Sequence, residues 1–113
     1  MSNRDNTLLL EDMIESILKI ETYTTGMDYA FFLNDEKTKD AVIRNFEIIG
    51  EAANRLGEDF HYEHDSIEWN RMRGFRNRIV HHYFGIDYEI VWSIIKNDLG
   101  TLKNQLSSLI NSL

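Results

Sequence analysis

The sequence contains no cysteine and no proline, and only 6 glycines among 113 residues. Without cysteine there is no disulfide, no thiolate ligand for zinc and no thiol nucleophile. With no proline and little glycine there is no linker composition, and one domain is expected over residues 1–113. Long apolar runs are missing too. The longest, Leu8 to Leu10 and Tyr29 to Leu33, fall far short of the roughly 20 residues of a membrane span. The opening Met1-Ser2-Asn3-Arg4-Asp5 lacks a basic stretch followed by an apolar one, so no secretory signal is expected. These absences point to a soluble, cytoplasmic chain with no membrane partner. Gly50, Gly57 and Gly85 stand alone, so there is neither a Walker loop nor a dinucleotide fingerprint.

Nineteen acids against 12 bases give a net charge of −7, which as a whole disfavours non-specific nucleic-acid binding. The distribution differs from the total. From Asn70 to Ile86 there is no acid, yet Arg71, Arg73, Arg76 and Arg78 lie there, with His81 and His82 close behind. A net −7 with +4 in that window leaves −11 on the rest of the chain. Such a window is either a solvated arginine face or a phosphate pocket, where guanidinium groups bind oxygens in a bidentate way.

Helical periodicity dominates. Leu10, Met13, Ile14, Ile17 and Ile20 form the stripe of a first helix, about 5 to 24, with Gly26 as its stop. Asp28 caps a short turn over Tyr29 to Leu33. A second long helix starts at Asn34 or Asp35, buries Val42, Phe46, Ile49, Ala53 and Leu56, and ends at Gly57. Gly50, Ala52 and Ala53 make it thin enough for another backbone to approach. Residues 58–65 read as a loop or one short turn. Ser66 caps a third helix that carries Trp69, Met72, Phe75 and Ile79 to Gly85. Asp87 caps a fourth that runs to Leu113, with a kink at Gly100. No period-2 run appears, so no strand is expected. The fold class is all-α: an antiparallel four-helix bundle with one or two short extra turns.

The segment Arg76-Asn77-Arg78-Ile79-Val80-His81-His82-Tyr83 carries the chemistry. It places an always-charged phosphate ligand, a titratable imidazole and a phenol within eight residues. These suit phosphodiester cleavage without a metal or cofactor. The imidazole shuttles protons near neutral pH, and a guanidinium neutralises charge growing on phosphoryl oxygens. On one straight helix Arg76 and Tyr83 nearly share a face, whereas Arg76 and His81 diverge by about 140°. Either the helix loosens before Gly85, or side chains from two protomers converge on one phosphate.

The Arg-x4-His-x-Tyr pattern, in the context Gly74-Phe75-Arg76-Asn77-Arg78-Ile79-Val80-His81-x-Tyr83-Phe84-Gly85, resembles the HEPN superfamily and in particular its HepT-like (DUF86) branch. The segment from Asp35-Glu36-Lys37-Thr38 into Ala41-Val42-Ile43-Arg44-Asn45-Phe46-Glu47-Ile48-Ile49-Gly50-Glu51-Ala52-Ala53, and Asp87-Tyr88-Glu89-Ile90-Val91-Trp92 after the motif, resemble the same branch. The likeness covers nearly the whole chain. It implies a metal-independent ribonuclease toxin of a type VII-like toxin–antitoxin pair, acting as a homodimer whose two motifs line an interface cleft. It further implies an MntA-like nucleotidyltransferase antitoxin that neutralises the toxin by moving AMP onto the motif tyrosine. On that likeness Arg76 binds phosphate, His81 is the catalytic histidine, Tyr83 accepts AMP and Asn77 has an orienting role. A dimer would set two +4 windows against one RNA, with steering that is local and strongly salt-dependent.

Arg73 and Arg78, with Arg71, are expected as rim charges that pair with acids or follow an RNA backbone. His82 departs from the family pattern, being either a second proton donor or an exposed side chain. His61-x2-His64, flanked by Glu63 and Asp65, has the spacing of a metal site but no two further ligands, so no metal is expected. Glu47 and Glu51 form a solvated edge or pair with arginines of the third helix. The alternative to an enzyme is a non-catalytic helical partner that regulates a nucleotidyltransferase.

Overall fold

The computed structural model describes residues 3–75, 79–81 and 85–113, with backbone only at 3, 4, 80 and 81. It is an all-α helical bundle. Helix α1 (Asn3–Thr24) buries Leu10, Met13, Ile17 and Ile20 completely. Its last turn closes as the Thr24 hydroxyl donates to the Ile20 carbonyl at 2.8 Å. Gly26, at φ +76°, then turns the chain through the left-handed region that favours glycine. Helix α2 (Tyr29–Leu33) begins where the Asp28 carboxylate accepts the Phe31 N–H at 2.8 Å. Helix α3 (Glu36–Leu56) begins the same way, with Asp35 accepting from Thr38 at 3.0 Å. Its whole expected stripe, Val42, Phe46, Ile49, Ala53 and Leu56, is buried.

Helices α1 and α3 run antiparallel. Leu9 and Asp12 near the start of α1 line one cleft with Gly50, Glu51 and Arg55 in the second half of α3. The last helix returns along α1, and Lys103 Nζ lies 2.7 Å from Glu21 Oε1. The buried apolar residues form one cluster drawn from every one of these layers.

Of the loop or short turn expected over residues 58–65, the structure has the turn: helix α4 (Glu58–Glu63) buries Phe60 and His61. Three expectations are corrected: Ser66 as a cap, a third helix continuous to Gly85, and the absence of any strand. The third helix is not continuous to Gly85. Helix α5 (Trp69–Arg73) is preceded by Glu68 rather than Ser66 at its cap, and a turn at Gly74 interrupts it. Phe75 and Ile79 are helical again, but Val80 and His81 are extended. Strands β1 (Val80–His81) and β2 (Gly85–Ile86) pair antiparallel, Val80 with Ile86 and His81 with Gly85. A bond from the Asp87 N–H to the Ile79 carbonyl at 2.7 Å closes this pairing. Glycine at 74 and a β-branched residue at 80 both weaken helix continuation, and Gly85 takes the positive φ of +86° that the return needs. The apolar positions themselves were placed correctly: Trp69, Met72, Phe75 and Ile79 are all buried.

The fourth helix is also divided. Helix α6 (Tyr88–Asn97) starts on Asp87, whose Oδ1 accepts from Glu89 and Ile90 at 3.1 and 3.2 Å. Helix α7 (Leu99–Ser112) follows after a break at Asp98, not at Gly100. Gly50 performs the role its size suggests. A Cβ there would lie 3.4 Å from the Met72 carbonyl oxygen, so α3 meets the backbone of α5 directly.

Candidate active site

The residues leading into the motif are held from three sides. On the first, His61 and Trp69 stack with centroids 5.0 Å apart and planes 16° from parallel. His61 Nε2 lies 2.7 Å from the Ala53 carbonyl oxygen, so that nitrogen carries the hydrogen and donates. The Trp69 indole N–H donates to the His64 carbonyl at 2.9 Å. His61 and Trp69 thus fasten α4 and α5 to α3. Among the described residues no three His, Asp or Glu side chains are grouped to hold a metal ion. On the second side, the Phe75 ring meets Phe46 of α3 edge-on at 5.2 Å.

The third side is electrostatic. Arg71 places Nη2 at 2.7 Å from Asp98 Oδ2 and Nη1 at 3.3 Å from Glu68 Oε2. One arginine of the cationic window is therefore spent on structure. Arg73 donates to the Asn70 side chain and lines a cleft of about 610 Å³ beside Asp12, Arg44, Glu47, Gly50 and Glu51. Glu47 and Glu51 pair with arginines of their own helix. Arg44 stands 3.7 Å from Glu47 and Arg55 stands 3.3 Å from Glu51. Both carboxylates are more than half exposed, so of the two alternatives they form the solvated edge. Among the described residues they have no third-helix partner, neighbours three or four apart on one helix being closer to hand.

Arg76, Asn77, Arg78, His82 and Tyr83 lie outside the described residues, as does the side chain of His81. The backbone of His81 is extended in β1, opposite Gly85. The chain is thus no longer helical at His81, before Gly85, as the first of the two geometric alternatives required. Sequence reasoning missed Asp98 altogether. An aspartate beside a leucine in a polar turn carries no periodic signal, and its partner is 27 residues away.

Comparison with known proteins agrees with the resemblance of the motif. The family model described as ribonuclease HepT-like matches residues 13–109. A protein of Thermococcus cleftensis named "Probable ribonuclease HepT" is 41% identical over 88% of this chain and 91% of its own length. Two proteins of Methanocaldococcus jannaschii bearing the name "Putative RNase" are 40% and 37% identical. They align over 94% and 100% of this chain, and over 97% and 93% of their own lengths. No solved structure matches. A helical bundle matched over most of its length by this model, with relatives that are named as ribonucleases, belongs to the ribonuclease HepT-like family.

Proposed function

We propose that the chain is a metal-independent endoribonuclease of the HEPN type, the toxin of a toxin–antitoxin pair, folded as one domain and active as a homodimer. The observation that carries this reading is the break at Gly74 followed by the β1–β2 pairing. It takes His81 off the straight helix that would hold it about 140° away from Arg76. The ribose 2′-hydroxyl attacks the adjacent phosphorus. His81 moves the proton, taking it from the 2′-oxygen or giving one to the departing 5′-oxygen. The P–O5′ bond breaks, leaving a 2′,3′-cyclic phosphate and a 5′-hydroxyl. Arg76 neutralises the charge that builds on the phosphoryl oxygens. Arg73 and Arg78 follow the RNA backbone, and Asn77 orients the arginine beside it.

The test is a short RNA carrying a single 2′-deoxy residue at a mapped cut. Cleavage is expected to vanish there and continue at unmodified positions. Cutting at the deoxy position would contradict attack by the 2′-hydroxyl.

Tyr83 is the regulatory member of the motif. An MntA-like nucleotidyltransferase directs the Tyr83 phenol oxygen onto the α-phosphorus of ATP, and pyrophosphate leaves. The adenylate then occupies the anion site and opposes incoming RNA. With that partner and Mg-ATP, intact mass is expected to rise by whole AMP units while nuclease activity falls. Tyr83→Phe is expected to show neither change. Full neutralisation of Tyr83→Phe by the partner would sink this mechanism.

A further inference from the structure

We propose that Asp98 is a positioning residue for the segment that carries Arg76 and His81, acting through Arg71; this rests on the ribonuclease reading above. Asp98 occupies the N-cap place of α7. An aspartate there ordinarily accepts a backbone N–H of the helix it opens. Asp98 makes no such bond. Its carboxylate instead takes the Arg71 guanidinium at 2.7 Å, across 27 residues of chain. The Asp98 side chain is only 20% exposed, so this pair is better shielded than an ordinary surface one.

The placement of the two residues explains why the bond matters. Helix α5 has five residues, too few to be stable without tertiary support. Arg71 lies in its last turn, and the chain leaves α5 at Gly74, two positions before Arg76. After the β1–β2 pairing, α6 opens on its cap Asp87 and ends at Asp98. The Arg71–Asp98 pair therefore ties the short helix that precedes the motif to the far end of the helix that follows it. The pair lies at a cleft of about 290 Å³ that is also lined by Met72, Phe75 and Leu102. Loosening this tie lets α5 shift, and a shift near 1 Å at a reacting centre costs up to about 100-fold in rate.

Two opposite charge changes test the proposal. Asp98→Asn removes an anion and Arg71→Gln removes a cation. If the pair positions the segment, both variants lose about tenfold in kcat, and Asp98→Glu keeps most of the activity. A purely electrostatic role predicts opposite shifts in KM with kcat unchanged, and that pattern would overturn the proposal. Hydrogen exchange supplies a readout that needs no activity. The Asp87 amide, which donates to the Ile79 carbonyl, is expected to exchange faster in both variants, while those of α1 and α3 keep their wild-type rates. Should Asp98→Asn fail to fold, Arg71→Gln carries the test, because its side chain is 44% exposed. If the wild-type chain cuts no RNA, the ribonuclease reading falls, and exchange alone decides on the tie. Unchanged exchange at Asp87 in a folded variant would refute it.

Discussion

Replacing His81 with alanine is expected to lower RNA cleavage by about 100- to 10,000-fold, the span of a lost general acid–base group. The expectation is specific to this histidine. Counting from Arg76, only His81 leaves a tyrosine two positions later. Its backbone is fixed by pairing with Gly85 rather than lying in a frayed helix end. His82→Ala is expected to retain most activity. His61→Ala separates catalysis from folding in the other direction. His61 donates to the Ala53 carbonyl and stacks on Trp69, so its loss costs stability first. Initial rates on one RNA, with thermal melts beside them, distinguish the three variants. A His81→Ala chain that melts like the wild type and cleaves equally fast would remove His81 from the mechanism.

Phe46→Ala carries the largest expected effect on stability. Phe46 is 3% exposed and meets Phe75 edge to face at 5.2 Å. Truncating a buried phenylalanine costs about 3–5 kcal/mol, against a total of about 5–15 kcal/mol for a typical domain. The cavity would open beneath Phe75, the residue that precedes Arg76. Denaturant titration is expected to show the unfolding free energy falling by that amount and the midpoint falling in proportion, and cleavage at sub-denaturing concentrations is expected to fall with it. Phe32→Ala offers a comparison. Phe32 is fully buried against Trp92 and Tyr88, on a different set of partners. It is expected to lower the midpoint while the surviving folded fraction cleaves normally. Equal activity losses per folded molecule in the two variants would show that Phe46 has no special link to the motif.

Much of the bundle was legible in the sequence for plain reasons. Asp28, Asp35 and Asp87 each accept the amide three residues on; Asp28 and Asp87 were readable as caps, and Asp35 as one of two candidates with Asn34. The stripes of α1 and α3 repeat often enough to force burial of every position but Ile14, which is half-buried at the edge of the α1 stripe. The third helix was misread because periodicity reports which side chains are buried, not whether the backbone between them is continuous. Trp69, Met72, Phe75 and Ile79 are buried, yet Gly74 interrupts the helix and Val80 begins a strand. Helix α4 was hidden because its two buried residues, Phe60 and His61, stand among Glu58, Asp59 and Glu63. The break at Asp98 was assigned to Gly100 because glycine is the usual local signal. At Asp98 the carboxylate bonds Arg71 across 27 residues instead of capping its own helix, a tertiary contact with no local signal. For the site, type and spacing single out the candidate motif, whose resemblance led to the ribonuclease HepT-like family that the comparison shows. The supports were not: the His61–Trp69 stack, the Phe46–Phe75 contact and the Arg71–Asp98 pair are all contacts between separate elements.

The most direct test of metal-independent cleavage by the motif is one assay. End-labelled RNA is incubated with the purified chain in EDTA, at low and high salt, beside His81→Ala and after intact mass has shown Tyr83 free of AMP. The account predicts cleavage that survives chelation, fades as salt screens the arginines, and is absent in the variant. RNA left intact by the unmodified chain, or cut equally by His81→Ala, would contradict it.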